Sequence, residues 1–155
     1  IRRRPNVRLV IAQSGLATYN ILDLISPMGI ANRTTLLGVV DVNKLLTIAD
    51  VGVIPFISPL ASILFPNSLL EMMASEVPVV ATDTGATSEV VYDGQTGVLV
   101  EPLNPSSLCY AIEKLLTNES LASRIGRNAR DLMEKKFSLR SCTKQLIALY
   151  DQILS

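Results

Sequence analysis

The chain has 155 residues, 48% of them hydrophobic and 18% charged, which excludes a disordered segment and leaves enough apolar mass for a core without covalent staples. Lys+Arg and Asp+Glu are equal at 14 each, so no net charge draws the chain to nucleic acid. Histidine is absent, which excludes histidine-based catalysis within these residues and leaves a metal ion little to bind.

In chain order, Val7 to Ala12 (VRLVIA) reads as a buried strand, and a helix follows from about Thr18 to Met28. Thr34 to Val40 is a second strand, Val42 to Asp50 a short helix, and Val51 to Pro55 a third strand stopped by proline. A loop leads to a helix starting near Pro66 and Asn67, with Asn67 or Ser68 as its cap. Val77 to Thr82 is the fourth strand. A short helix, Thr87 to Tyr92, and a tight turn, Asp93 to Gly97, precede the fifth strand, Gly97 to Val100. The remainder is helical. One helix starts from an Asn104 cap with Pro105 in its first turn, a second spans Glu119 to Phe137, and a third runs from a Ser138 cap. On this last helix Leu139, Cys142, Leu146, Leu149 and Ile153 recur at helical spacing and form one apolar stripe, expected to pack and to be needed for stability.

Strands alternating with helices predict an α/β domain with a parallel sheet covered on both faces. In such sheets ligands bind beyond the C-terminal ends of the strands, where helix N-termini point N–H groups at them. Cys109 and Cys142 fit no metal or redox spacing and read as buried free thiols, which suits a reducing cytoplasm. No apolar run is long enough to span a bilayer, and no secretory signal is visible. Charge is uneven along the chain. Between Asp41 and Glu113 the only base is Lys44, whereas Lys114, Arg124, Arg127, Arg130, Lys135, Lys136, Arg140 and Lys144 follow. A solvated helical face is the first reading of these bases, and a weak contact with an anionic membrane surface the second.

Glu71 is the residue that asks for chemistry. Leu69, Leu70, Met72, Met73 and Ala74 surround it in sequence, which predicts a carboxylate in a buried helix facing a cleft. Burying it unpaired costs several kcal/mol by order of magnitude, and the helix dipole returns only about 0.3–1 kcal/mol. Backbone amides or an arginine are one set of donors for it. The vicinal hydroxyls of a sugar are another.

The stretch from Phe65 to Pro102, FPNSLLEMMASEVPVVATDTGATSEVVYDGQTGVLVEP, resembles the donor-binding half of retaining glycosyltransferases of the GT-B fold, family 4 type. The likeness extends to ADVGVIPF before it and LASRIGRNARDLMEKKFS after it. It implies a Rossmann-like three-layer domain, residues 1–155, that is most of the C-terminal half of a GT-B enzyme. It implies transfer of a sugar from a nucleotide-sugar donor to an acceptor with retention at the anomeric carbon, and no metal cofactor. Glu71 matches the second acid of the family's Glu-x7-Glu motif and is expected at the ribose hydroxyls. Gly85 is expected where the backbone approaches the donor. The N–H groups of Asn67, Ser68 and Leu69 are candidates for the diphosphate or sugar, and the backbone of Val39 and Val40 for the nucleobase. No catalytic side chain is assigned. Glu89 reads as a cap or loop brace.

The sequence departs from the pattern at Ile63, where the family has the motif's first glutamate, and at Ala86, in place of a second glycine. The family's first βα unit, which carries an arginine and a lysine for the leaving diphosphate, and its acceptor domain are expected outside this chain. The fragment alone is then expected to be inactive. The alternative is a non-catalytic GT-B-like binding or partner subunit, favoured by Ile63. A nicotinamide-type dinucleotide domain is disfavoured, because no strand is followed by Gly-x-Gly-x-x-Gly.

Overall fold

The computed structural model describes residues 4, 6–12, 21–58 and 66–154. The backbone groups into two compact units, Ile1–Val42 and Asn43–Ser155. The described strands form two parallel sheets, one of two strands and one of three.

In the first unit β1 (Leu9–Ala12) pairs in parallel with β2 (Thr34–Leu37), Leu9 opposite Thr34 and Ala12 opposite Leu37. The helix expected over 18–28 is described as α1 (Ile21–Ile25) followed by a 3-10 turn, Ser26–Met28. Gly29 closes that turn at φ 67°, its N–H donating to the Ser26 carbonyl at 3.1 Å. A left-handed residue costs glycine nothing there. The Thr34 hydroxyl donates to the Ile30 carbonyl at 2.9 Å and ties the start of β2 to the turn before it. Gly15 and the first residues of the expected helix lie outside the described residues.

Helix α2 (Val42–Leu46) starts at the last residue of the first unit, and the second unit carries β3 (Gly52–Ile54), β4 (Val79–Thr82) and β5 (Val98–Val100) in the order β3-β4-β5. The helix α2 stops short of the expected Asp50, because the Thr47 hydroxyl takes the Lys44 carbonyl at 2.8 Å and Ile48 N–H turns back to Leu45. β4 is the central strand and is buried at every residue. Its side chains alternate between faces, and each face has its own cluster. Val79 and Ala81 pack with Leu69 and Met73 of α3 (Asn67–Ala74) and with Ala129 and Met133. Val80 packs with Ala111 and Leu115 of α4 (Pro105–Thr117) and with Ile125 of α5 (Glu119–Leu132). This is the three-layer α/β arrangement that the alternation of elements predicts. Asn104 caps α4 by accepting from Ser107 N–H at 3.0 Å, and Asn118 caps α5 by accepting from Leu121 N–H at 3.0 Å.

The cap of α3 differs from the expectation. Neither Asn67 nor Ser68 caps it. Pro66 is the N-cap, in extended backbone at φ −70°, and no side chain closes the helix start. The proline ring fixes that φ, so the helix begins one residue earlier than a polar cap would place it. At its other end Val77 N–H donates to Met72 O and Glu76 N–H to Met73 O, at 3.0 and 3.2 Å. That is a Schellman closure, with Glu76 left-handed at φ 61° where glycine is usual. Arg130 holds the turn, with its guanidinium 3.7 Å from the Glu76 carboxylate and donating to the Ala74 carbonyl at 3.4 Å. A hydrogen bond to Glu134 and that residue's charge raise the Arg130 pKa further above its ordinary value.

Both cysteines are free, but neither is buried: Cys109 and Cys142 are exposed. They sit on the outer faces of α4 and of α6 (Leu139–Leu154). Helix α5 runs through a π-helical turn, Met133–Phe137, into α6, whose first turn is capped by the Ser138 hydroxyl accepting from Ser141 N–H at 3.3 Å. The apolar stripe of α6 exists, yet the helix has no buried residue, and Leu146, Leu149 and Ile153 are each at least half exposed. The expected packing is therefore not made within this unit. Removing 139–155 should leave the melting temperature of the chain within about 2–4 °C of its parent, the shift that roughly 1 kcal/mol produces in a chain this size. A drop beyond that range would show that α6 carries stability here.

Candidate functional site

In a parallel sheet with its helices running back against the strands, α3 starts at the end of the sheet where β3 and β4 finish. The loop after β4 and the first turn of α3 thus share one end of the second unit. Thr82, the last residue of β4, sets the shape of this end. Its buried hydroxyl lies 2.6 Å from the Phe56 carbonyl and 3.3 Å from the Ile54 carbonyl, fastening the ends of β3 and β4 together. The chain then turns tightly. Asp83 N–H donates to Val100 O at 2.8 Å, Thr84 N–H to Thr82 O at 2.9 Å and Thr87 N–H to Thr84 O at 3.1 Å. Gly85 sits inside this turn at φ 55°, exposed, where a side chain would be strained. The sequence signal for this role is a threonine closing an apolar strand, which the hydrophobic pattern alone does not single out.

Glu71 is not buried. Leu69 and Met73 are completely buried, Leu70 and Met72 are half-buried, and Glu71 is exposed together with Asn67, Ser68, Ala74 and Ser75. The reason is the helical wheel. Residues 67, 71 and 74 recur at i, i+4 and i+7 and form one stripe opposite the 69/73 face. Apolar neighbours in sequence occupy other faces and do not enclose the carboxylate. Glu71 therefore presents an ionisable group in the second turn of α3, accessible from solvent, without the desolvation cost that the sequence suggested.

Leu69 differs from the other candidates in the same helix. Its side chain is in the core, and its N–H already donates to the Pro66 carbonyl at 3.0 Å. Asn67 and Ser68 are exposed on the first turn. Glu89 is exposed in the 3-10 turn Thr87–Glu89, and its side chain makes no hydrogen bond among the described residues, so it is neither cap nor brace there. The Asp93–Gly97 turn is knitted by its own residues: Gly94 N–H to Gly97 O at 2.8 Å, and Thr96 Oγ1 accepting from Tyr92 N–H at 2.8 Å. Val39 and Val40 belong to the first unit, in the loop after β2, with Val39 89% exposed and Val40 half-buried. Ile63 lies outside the described residues. Among the described residues no helix is long and apolar enough to cross a membrane.

Residues 1–118 match the family described as glycosyl transferases group 1. The chain belongs to that family. Among the relatives of this glycosyl transferases group 1 chain, an alpha-D-kanosaminyltransferase of Streptomyces kanamyceticus is 29% identical, over 98% of this chain and 39% of its own length. Of solved structures, sucrose-phosphate synthase from Thermosynechococcus elongatus superposes with a TM-score of 0.82 at 25% identity, over 98% of this chain and 40% of that one. TarM of S. aureus, in a complex that includes UDP, superposes with a TM-score of 0.80 at 25% identity, over 96% of this chain and 30% of that one. The fold is thus one half of the GT-B glycosyltransferase architecture, and the chain spans about two fifths of the relatives it resembles over nearly its whole length.

Proposed function

We propose that this chain is most of the nucleotide-sugar donor-binding half of a retaining, family 4-type glycosyltransferase. The whole protein would transfer a sugar from the nucleotide donor to an acceptor held by a further domain. The observation that carries the reading is Glu71, an exposed carboxylate in the second turn of α3, the helix that starts at the end of the sheet where Gly85 turns. A carboxylate there accepts from both hydroxyls of a ribose. The N–H groups of Asn67 and Ser68 and the positive end of the α3 dipole suit the diphosphate. At Gly85 the lack of a side chain lets backbone come close to the donor. No metal ion is part of this reading. The charge that develops on the leaving diphosphate is met by basic side chains of the whole protein, a term of the kind that dominates electrostatic catalysis. Support for a uridine nucleotide comes from TarM, whose complex includes UDP.

The test is calorimetric titration of UDP into the 155-residue chain and its Glu71→Ala variant. The parent should bind saturably and the variant about tenfold or more weaker, the effect of losing a hydrogen bond to a charged group. Equal affinity, or no saturable binding by the parent, overturns the assignment.

Ile63 favours a second reading, a binding subunit that holds the nucleotide and does not grip the sugar. Isoleucine accepts no hydrogen bond where the resemblance calls for a carboxylate. UDP and UDP-glucose are then expected to bind about equally well, and Ile63→Glu to favour the conjugate by roughly tenfold or more. A parent that already prefers the conjugate, with no response to Ile63→Glu, would show that position 63 is not the motif's acid.

A further inference from the structure

We propose that the groove between α4, α5 and β5 is a second binding site, for a small anion that carries an apolar body. It is a depression of about 540 Å³ on the second unit, on the side of the sheet covered by α4. Its floor is the outer part of one core cluster, with Val98, Val100, Leu121 and Ile125. Its polar lining includes Lys114 and Arg124. Lys114 lies four residues after Tyr110 on α4 and so shares its face, and Tyr110 keeps 69% of its surface exposed.

The charge is what the rest of the fold leaves unanswered. Several bases of the C-terminal stretch are engaged: Arg130 with Glu134 and Glu76, Lys135 with Asp131, and Lys136 with Tyr92. Lys114 and Arg124 have no ion pair or hydrogen bond among the described residues, and both line this groove. Asp93 lines it too, but one of its carboxylate oxygens is committed to Leu99 N–H at 3.0 Å. Two cations against one carboxylate favour a ligand with a single anionic head, not a polyanion.

The same hydrogen bond excludes a peptide strand as occupant. The outward N–H of Leu99 on the edge strand β5 is taken by Asp93, and the Gly97 carbonyl by Gly94 N–H at 2.8 Å. An added strand finds those edge groups already satisfied. What remains is an apolar floor with cations at the rim, the complement of a phosphate or carboxylate on a short alkyl or aryl body.

Octyl phosphate, kept below its micellar concentration, is the probe, titrated into the 155-residue chain and followed by nitrogen-15 amide shifts. Saturable binding with shifts centred on Tyr110, Lys114, Leu121 and Arg124 is expected. Inorganic phosphate and octanol should each bind at least about tenfold weaker, since each offers half of the complement. Lys114→Ala and Arg124→Ala should each weaken octyl phosphate by about tenfold with an unchanged melting temperature, as exposed substitutions do. UDP should not displace the probe, which separates this site from the proposed donor site. The inference is overturned if binding is not saturable, or if inorganic phosphate or octanol binds equally well. It is also overturned if the two variants bind as the parent does, or if the chain responds only to anionic vesicles.

Discussion

Leu69→Ala is expected to destabilise the second unit by about 2–5 kcal/mol, the range for removing a fully buried leucine from a packed core. Leu69 has no exposed surface and belongs to the cluster that joins α3 to β4 and to Ala129 and Met133. Against the roughly 5–15 kcal/mol by which a domain is usually stable, that is a large fraction. At roughly 2–4 °C per kcal/mol, calorimetry should record a clear fall in melting temperature. The same helix carries Asn67, Ser68 and Glu71 on its opposite face. A loosened α3 should therefore also weaken UDP binding, in contrast to Glu71→Ala, which should weaken binding and leave the melting temperature in place. A melting temperature unchanged by Leu69→Ala would mean that the α3 face is not the core contact described.

Gly126→Ala is the second large effect. Gly126 is buried on α5, and a methyl group there would run into the backbone carbonyl of Glu76. That carbonyl cannot easily yield. It belongs to the Schellman closure of α3, at a non-glycine residue already held at φ 61°. Either α5 moves outward, opening the clusters that Ile125 and Ala129 fill, or the closure unwinds. Overpacking of this kind costs about 1–3 kcal/mol, and a backbone partner places it at the upper end. The gain in helix propensity from glycine to alanine, about 1 kcal/mol, opposes it only in part. Thermal melting of the variant decides the matter. A variant at least as stable as its parent would show that α5 has room at Glu76.

Much of this architecture could be read from local signals, because those signals act over a few residues. The Asn104–Pro105 start of α4 and the Ser138 start of α6 are capping chemistry, the first set by a cap and a helix-compatible proline and the second by a serine cap alone. The apolar run at 79–82 is a strand buried on both faces, as its lack of alternation implies. Sequence and structure diverge where a neighbour along the chain is not a neighbour in space. Glu71 stands among leucines and methionines along the chain, but about half a helical turn separates it from the face that Leu69 and Met73 bury. Cysteine is a commonly buried residue type, yet the faces of α4 and α6 that carry Cys109 and Cys142 look outward.

By itself the sequence determined the α/β class, the order of the elements and the family resemblance. These follow from periodicity, turn residues and a motif that is contiguous along the chain. It also placed an acid within a helix and a glycine after a strand. Tertiary structure alone decided what those residues face. The side of α3 that is buried depends on which helix lies across it: α5 does so, with Gly126 against Glu76 and Ala129 against Leu69 and Met73, joined by Met133 of the π-helical turn that follows. The pinning of β3 to β4 by Thr82 joins residues 26 and 28 positions apart. The stripe on α6 is legible in sequence as apolar, but whether an apolar stripe is covered depends on a partner surface that no local pattern encodes, and here the stripe lies open.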